Sequence, residues 1–370
     1  MQTSDVVNSN GIISKYSQTL NEKGLAVSKL FPKGTILITI AANIGYAGIL
    51  QKDMACPDSL IGLKCKTDTH NVFLNYLLLK EQPRMDYLAV AAAQKNINID
   101  FLKPYKFYLP KIDEQEHISG FIRQIDERIA TQNKIIEDYK LLKVGIMQKI
   151  FKQELRFKDE NGCSFSEWKY FEFGEIYSFK STNSLSRDCL NVNQGTIKNI
   201  HYGDIHTKYH SHFDVEKEIV PFINATVDIK RIANDCYLQE GDLVIADASE
   251  DYADIGKAVE IVNINNEKIL AGLHTLLARR KNKHLAVGFA GHLMKNGNVR
   301  LAIMRIAQGT KVLGISTKRL TEVKLRIPSI AEQQKIASTL SAIDQKIELE
   351  TAHIEKLKAQ KQYLLQNLFV

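Results

Sequence analysis

Residues 101–151 read FLKPYKFYLPKIDEQEHISGFIRQIDERIATQNKIIEDYKLLKVGIMQKIF, and residues 319–369 read RLTEVKLRIPSIAEQQKIASTLSAIDQKIELETAHIEKLKAQKQYLLQNLF. The two stretches align without a gap at an offset of 218 and are identical at 16 of 51 positions. Each opens on a strand-like segment, at 106–110 and 324–328, and passes an acid–Gln pair, Glu114-Gln115 or Glu332-Gln333. Each then enters a long helical pattern that ends at Phe151 or Phe369. A duplicated chain predicts a pseudo-twofold molecule, suited to a target that also comes in two halves.

The helical patterns carry a seam with 4,3 spacing. In the first copy it runs through Ile118, Ile122, Ile125, Ile129, Gln132, Ile136, Tyr139, Lys143, Ile146 and Ile150. In the second it runs through Ile336, Leu340, Ile343, Ile347, Glu350, Ile354, Leu357, Lys361, Leu364 and Leu368, with the polar interruptions at equivalent places. Pro110 and Pro328 stand just outside each start, where a missing N–H is tolerated. At about 1.5 Å per residue, the ~38 residues of either helix span roughly 57 Å, too long to bury inside one compact domain, so a coiled coil is expected.

Direction follows from the lysines. A parallel pair in register sets Lys143 against Lys361 in a partly dry layer, whereas an antiparallel pair brings Lys143 near Ile343 and Lys361 near Ile125. There each stem packs and each ammonium reaches water. The antiparallel arrangement is favoured; the alternative is that each helix packs on its own neighbouring domain.

With 370 residues the chain is long enough for two or more cores, and 44% hydrophobic with 25% charged residues is ordinary for a globular protein. No apolar run approaches the ~20 residues of a membrane span and residues 1–5 are not a secretory leader, so a cytoplasmic protein is expected. Cys56, Cys65, Cys163, Cys189 and Cys236 are odd in number and scattered, without C-x-x-C spacing, and read as reduced thiols. The net charge of +7 permits a polyanionic partner without requiring one.

Residues 159–318 carry short β-like runs, at 170–173, 174–179, 242–246 and 257–264, with helical periodicity only from about 284 to 307. Residues 1–100 read as a shorter version of that α+β domain. The run 33–39 (KGTILIT) corresponds to 240–246 (EGDLVIA), a turn followed by a buried strand. The first domain is expected to lack roughly the opening 40 residues of its counterpart.

The order of domain, helix, domain and helix, with the helix-entry signatures 109–115 (LPKIDEQ) and 327–333 (IPSIAEQ), resembles the specificity subunit of type I restriction-modification systems. Residues 197–205 (IKNIHYGDI) and 29–37 (KLFPKGTIL) are similar to segments typical of that family. The resemblance covers nearly the whole chain, and it departs at the N-terminus. It implies an α+β fold of two target recognition domains separated by a long antiparallel two-helix coiled coil with an internal pseudo-twofold repeat. The expected segments are 1–105 (first recognition domain), 106–158 (central region with its helix), 159–325 (second recognition domain) and 326–370 (C-terminal region with its helix). It further implies binding of double-stranded DNA at a two-part site, with the helices as the ruler. The implied protein partners are two methyltransferase subunits and, through them, restriction subunits. S-adenosylmethionine, ATP and Mg²⁺ then belong to those partners, and no cofactor or membrane contact is expected of this chain.

The motifs agree with a non-catalytic role. No phosphate loop and no Asn/Asp-Pro-Pro-aromatic motif is present. Pro57-Asp58 ahead of Lys64-Cys65-Lys66 is superficially like a nuclease signature, but position 64 is Lys where a second carboxylate would be needed to share Mg²⁺. His201, His206, His210 and His212 cluster, and no Cys or carboxylate closes a metal set, so surface exposure or contact to DNA is the stronger reading. Asp247, Glu250, Asp251 and Asp254 read as a solvated acidic turn or an acceptor for a cytosine amino group.

Basic, amide and aromatic residues on loops are the candidates for DNA contact, since phosphate contacts position a protein and base contacts specify sequence. In the second domain these are Lys180, Ser181, Asn183, Arg187, Lys198, His201, Tyr202, Lys230, Arg231 and Tyr252. In the first they are Asn43, Tyr46, Gln94, Lys95 and Asn96. The basic run 279–283 reads as a phosphate patch or a solvated turn. The competing function is an assembly scaffold or inactive truncated allele, which binds methyltransferase subunits without specific two-part recognition of DNA.

Overall fold

The structure, a computed structural model, describes residues 1–41, 43–91, 96–229, 232–281 and 284–369. The chain divides into two compact units. Unit 1 comprises Met1–Glu137 with Leu349–Val370, and unit 2 comprises Asp138–Glu348. Among the described residues no helix is long and apolar enough to cross a membrane.

Two long helices, Ile112–Phe151 and Ile330–Leu368, each contribute residues to both units. Their first turns carry Asp113, Glu114 and Glu332, acids that suit the positive end of the helix dipole. The seam faces inward. Ile122, Ile125, Ile136, Ile150, Ile336, Leu340, Ile354 and Leu357 are buried, while Ile118, Ile129, Ile146, Ile343, Ile347, Leu364 and Leu368 are half-buried.

The polar seam positions are paired rather than solvated. Within unit 1, Lys361 Nζ lies 2.6 Å from Asp126 and Gln132 Nε2 donates to the Glu350 carboxylate. Within unit 2, Lys143 Nζ pairs with Asp344. The sequence suggested that both ammoniums reach water; instead an acid beside each seam isoleucine supplies a counter-charge in a partly dry layer, where Coulomb attraction is less screened. In unit 1, positions 126 and 132 meet 361 and 350, so the two chain directions are opposed.

Unit 1 holds a four-stranded sheet in the order Ile12–Ile13, Ala47–Leu50, Ile36–Thr39, Leu60–Leu63. The first pair is parallel and the others are antiparallel. Ile36–Thr39 and Ala47–Leu50 are buried throughout, which suits uninterrupted apolar runs covered on both faces. Unit 2 holds a five-stranded sheet ordered His212–Asp214, Ala258–Asn263, Leu243–Ala246, Thr275–Arg280, Tyr177–Lys180. Again the first pair is parallel and the rest antiparallel. Four of its strands thus follow the order and senses of the unit 1 sheet. Gly34 and Gly241, at φ of +85° and +84°, make the same turn ahead of the central strand in each unit.

The two helix entries share a clamp. Gln115 accepts from the His70 amide at 2.9 Å and donates to Asp68 O and Pro110 O. Gln333 accepts from the Ala286 amide at 2.8 Å and donates to His284 O and Pro328 O. Both side chains are fully buried, so these bonds satisfy loop groups that water cannot reach.

Two local expectations fail. Residues 106–110 form no strand, whereas Lys324–Ile327 pairs antiparallel with Lys169–Glu172; among the described residues nothing pairs with 106–110, and a strand needs a ladder partner. The expected strand at 174–179 begins as a helical turn, Phe173–Ile176, because Glu172 and Glu175 form a reciprocal capping box, and the strand starts at Tyr177.

Candidate nucleic-acid interface

In unit 2 a second sheet, ordered Lys268–Ala271, Ile197–Ile200, Phe222–Ile223, Leu190–Asn191, delivers the chain to the short helix Tyr202–Thr207. His201 caps that helix by accepting from the Gly203 amide at 3.2 Å. Tyr202 then sits among three imidazoles, with ring centroids 4.6 Å from His201, 5.9 Å from His206 and 5.3 Å from His274. Burial and the Arg187 charge hold His201 below the usual histidine range, so it is a neutral acceptor at pH 7. Beside the group, Asp247 lies 3.5 Å from His274, and burial raises its carboxyl above the ordinary range.

Several candidate residues spend their polar atoms inside the domain. The Asn183 amide donates to Asn199 and to Ala271 O, at 2.7 and 3.0 Å. Arg187 holds the buried Asp204 through both terminal nitrogens. Lys198 pairs with Glu267 at 2.6 Å and lies over the Phe222 ring, and Lys180 pairs with Asp235 at 2.9 Å. Ser181 is exposed, Tyr202 is half-buried, and the exposed Tyr252 donates its hydroxyl to Met304 O at 3.0 Å. Lys230 and Arg231 lie outside the described residues.

The basic run at 279–283 is neither a free patch nor a plain turn at its start. Arg279 is bound to Asp242 and to the carbonyls of Asp235 and Tyr237, and Arg280 donates to Leu285 O and Glu240 O. Asn282 and Lys283 lie outside the described residues. The four clustered histidines also part company. His206 meets Ala248 O, His210 meets Glu218, and His212 meets Gly288 O. In the acidic turn, Asp254 pairs with Lys257 and Asp251 is tied into backbone turns, so those carboxylates do not converge.

In unit 1, Asn43 and Asn96 are exposed and Tyr46 is half-buried. Gln94 and Lys95 lie outside the described residues. His274 was missed by sequence reading. It adopts a positive φ of +53°, unusual for a side-chain-bearing residue, and nothing in the local sequence marks that conformation.

Two blocks of the chain, residues 3–140 and 165–359, match the family described as the type I restriction modification DNA specificity domain. The chain belongs to that family. Among curated members it is similar to the type I restriction enzyme MjaVIII specificity subunit of Methanocaldococcus jannaschii, 23% identical over 366 residues, covering 96% of this chain and 81% of that one. A second M. jannaschii protein, bearing the name of the MjaX specificity subunit, is 26% identical over 302 residues, which cover 79% of this chain and 66% of that relative. The fold of the specificity family recurs in solved structures. A type I restriction-modification S subunit from M. genitalium superposes with a TM-score of 0.54 at 19% identity, covering 92% of this chain and 84% of that one. A chain from a type I R-M system, solved to describe complex assembly and conformational transition, superposes with a TM-score of 0.58 at 14% identity, covering 92% and 83%.

Proposed function

We propose that this chain is the DNA sequence-recognition subunit of a type I restriction-modification complex, that it reads a bipartite target, and that it positions methyltransferase and restriction subunits. The observation that carries this reading is the family match in two separate blocks, residues 3–140 and 165–359. The long helices are proposed to form an antiparallel two-helix coiled coil within a pseudo-twofold repeat. The equivalent pairs Lys361–Asp126 and Lys143–Asp344 and the equivalent clamps of Gln115 and Gln333 support that arrangement. Each recognition domain reads one half-site and the helices set the spacer. Base methylation and strand cleavage, with their S-adenosylmethionine, ATP and Mg²⁺, fall to the partner subunits.

The chemistry available around Tyr202 suits base-edge and phosphate contacts: a phenol, three imidazole rings and, at the end of the same short helix, Lys208. Footprinting the chain with its methyltransferase on random-sequence duplexes tests the reading. Protection of a split site, weakened at one half by Tyr202→Ala, is the expected result. The internal pairing of Lys180, Asn183, Arg187 and Lys198 favours one alternative, a scaffold that binds methyltransferase but contacts DNA without regard to sequence. Uniform, salt-sensitive protection would establish that alternative instead.

A further inference from the structure

His292, in the short helix Ala290–Lys295, is completely buried, and neither of its ring nitrogens has a hydrogen-bond partner. Buried polar groups are normally paired, and leaving one unpaired costs about 1–3 kcal/mol. The ring is not stranded at random. Its centroid lies 4.1 Å from that of His212, which comes from the strand His212–Asp214. One ligand atom from each of His212, His292 and Asp344, the last on the second long helix, lies within 4.8 Å of the other two. These three elements all belong to unit 2.

The surroundings hold the His212 ring as a metal site requires. His212 Nε2 faces Gly288 O at 2.8 Å, so an N–H donated there leaves Nδ1 with its lone pair, against which the Ser211 hydroxyl lies at a long 3.4 Å that a metal would displace. Gly288 is itself held by the buried Glu260, which accepts from the amides of Gly288 and Gly291 at 2.8 and 2.7 Å. Any side chain at Gly291 would meet His212 Nε2 and Ser211 O at 2.8 Å, so a glycine is required for this close approach. Burial keeps both imidazoles neutral, pushing His212 down to about 4 and His292 down to about 2. The adjoining cavity, about 290 Å³, is lined by four carboxylates (Asp214, Glu218, Asp344, Glu348) and three lysines (Lys143, Lys217, Lys295).

We propose that His212, His292 and Asp344 form a binding site for a divalent transition metal of zinc type, which the ammonium of Lys143 guards by occupying Asp344. Two imidazoles and a carboxylate are a donor set that zinc accepts, with a fourth position open to water from the cavity. Tetrahedral zinc with bonds near 2.0 Å sets its ligand atoms about 3.3 Å apart, so the three side chains close in by an ångström or so on binding. The metal replaces the Lys143 ammonium on Asp344, and Lys143 swings into the cavity. No bond other than coordination forms, and the site takes no part in the DNA recognition proposed above.

Stripping the full chain with chelator and titrating it with Co²⁺, then Zn²⁺, tests the site. The expected result is visible d–d absorption of a tetrahedral cobalt site at one equivalent, abolished by Zn²⁺. His292→Leu and Asp344→Asn should eliminate it, while His210→Ala, at an exposed histidine outside the set, should not. Lys143→Met removes the competing cation and should tighten Zn²⁺ binding at least tenfold; this variant keeps all three ligands, so it decides the matter even where His292→Leu does not fold. Absence of stoichiometric Co²⁺ and Zn²⁺ binding in both the unaltered chain and Lys143→Met overturns the site, as does binding that persists in folded His292→Leu.

Discussion

Arg187 grips Asp204 with both terminal guanidinium nitrogens, at 2.6 and 2.8 Å, and the carboxylate is 1% exposed. Burial pushes the Asp204 carboxyl up, but Arg187 and Lys208 together bring it below the ordinary range. Arg187 therefore serves the recognition domain from within, whatever else its exposed edge touches. Replacing it by methionine leaves a buried carboxylate with Lys208 alone and should cost about 3 kcal/mol at pH 7, read as a lower urea midpoint.

The same pair sets a pH dependence whose sign is fixed. A carboxyl depressed in the folded state contributes stability that is full above its unfolded value and is lost as pH falls through its folded value. The deficit of Arg187→Met relative to the unaltered chain should therefore be largest at neutral pH. It should shrink as pH falls into the acid range, because without Arg187 the burial of Asp204 is opposed by Lys208 alone and the carboxyl takes up its proton at a higher pH in the variant than in the unaltered chain. A deficit that is constant from pH 7 to pH 3 would show that packing of the arginine stem, and not its charge, is what matters.

The two glutamine clamps make a local prediction that separates the units. Gln333→Leu removes the bonds to the Ala286 amide and to the carbonyls of His284 and Pro328, and Gln115→Leu removes the equivalent bonds to the His70 amide and to the carbonyls of Asp68 and Pro110. Each should destabilise its own unit by about 2–4 kcal/mol, since unsatisfied buried groups cost about 1–3 kcal/mol apiece. Amide hydrogen exchange reports the location: protection at Ala286 should fall only in the first variant, and at His70 only in the second.

Lys361–Asp126 and Lys143–Asp344 are half-buried ion pairs at equivalent positions of the repeat. A double-mutant cycle to alanine at the first pair should give a coupling near 1 kcal/mol, at the upper end for partly exposed pairs, and it should weaken with added salt. Coupling indistinguishable from zero at low salt would mean that the lysine stems, rather than their charges, hold the seam.

The long helices were legible because a 4,3 spacing sustained over ten positions leaves one apolar stripe that has to be covered, and the same spacing placed Lys143 and Lys361 in it. What periodicity does not report is the residue one step off the seam. Asp126 and Asp344 were passed over, although they decide where the ammoniums go. In unit 2 the short runs at 242–246 and 257–264 announced strands, but at 174–179 a capping box of Glu172 and Glu175 outweighed the β-like composition. The candidate contact residues were chosen by type, and type does not say where a side chain spends its hydrogen bonds. Asn183 and Lys198 are engaged at home, while His274 enters from 72 residues beyond Tyr202 by a backbone turn that no motif marks.

Gln132 and Glu350 are counterparts in the repeat, and they touch one another. Two separate identical chains meeting about a dyad would be forced to set like against like at that place: two carboxylates would repel, and two amides could pair only as neutral groups, without the charge-assisted bond that an amide makes to a carboxylate. Two similar stretches carried in one chain are free of that constraint. Here one position is a donor and its counterpart an acceptor, so the place where strict symmetry would be most exacting is also where the two stretches gain most by differing.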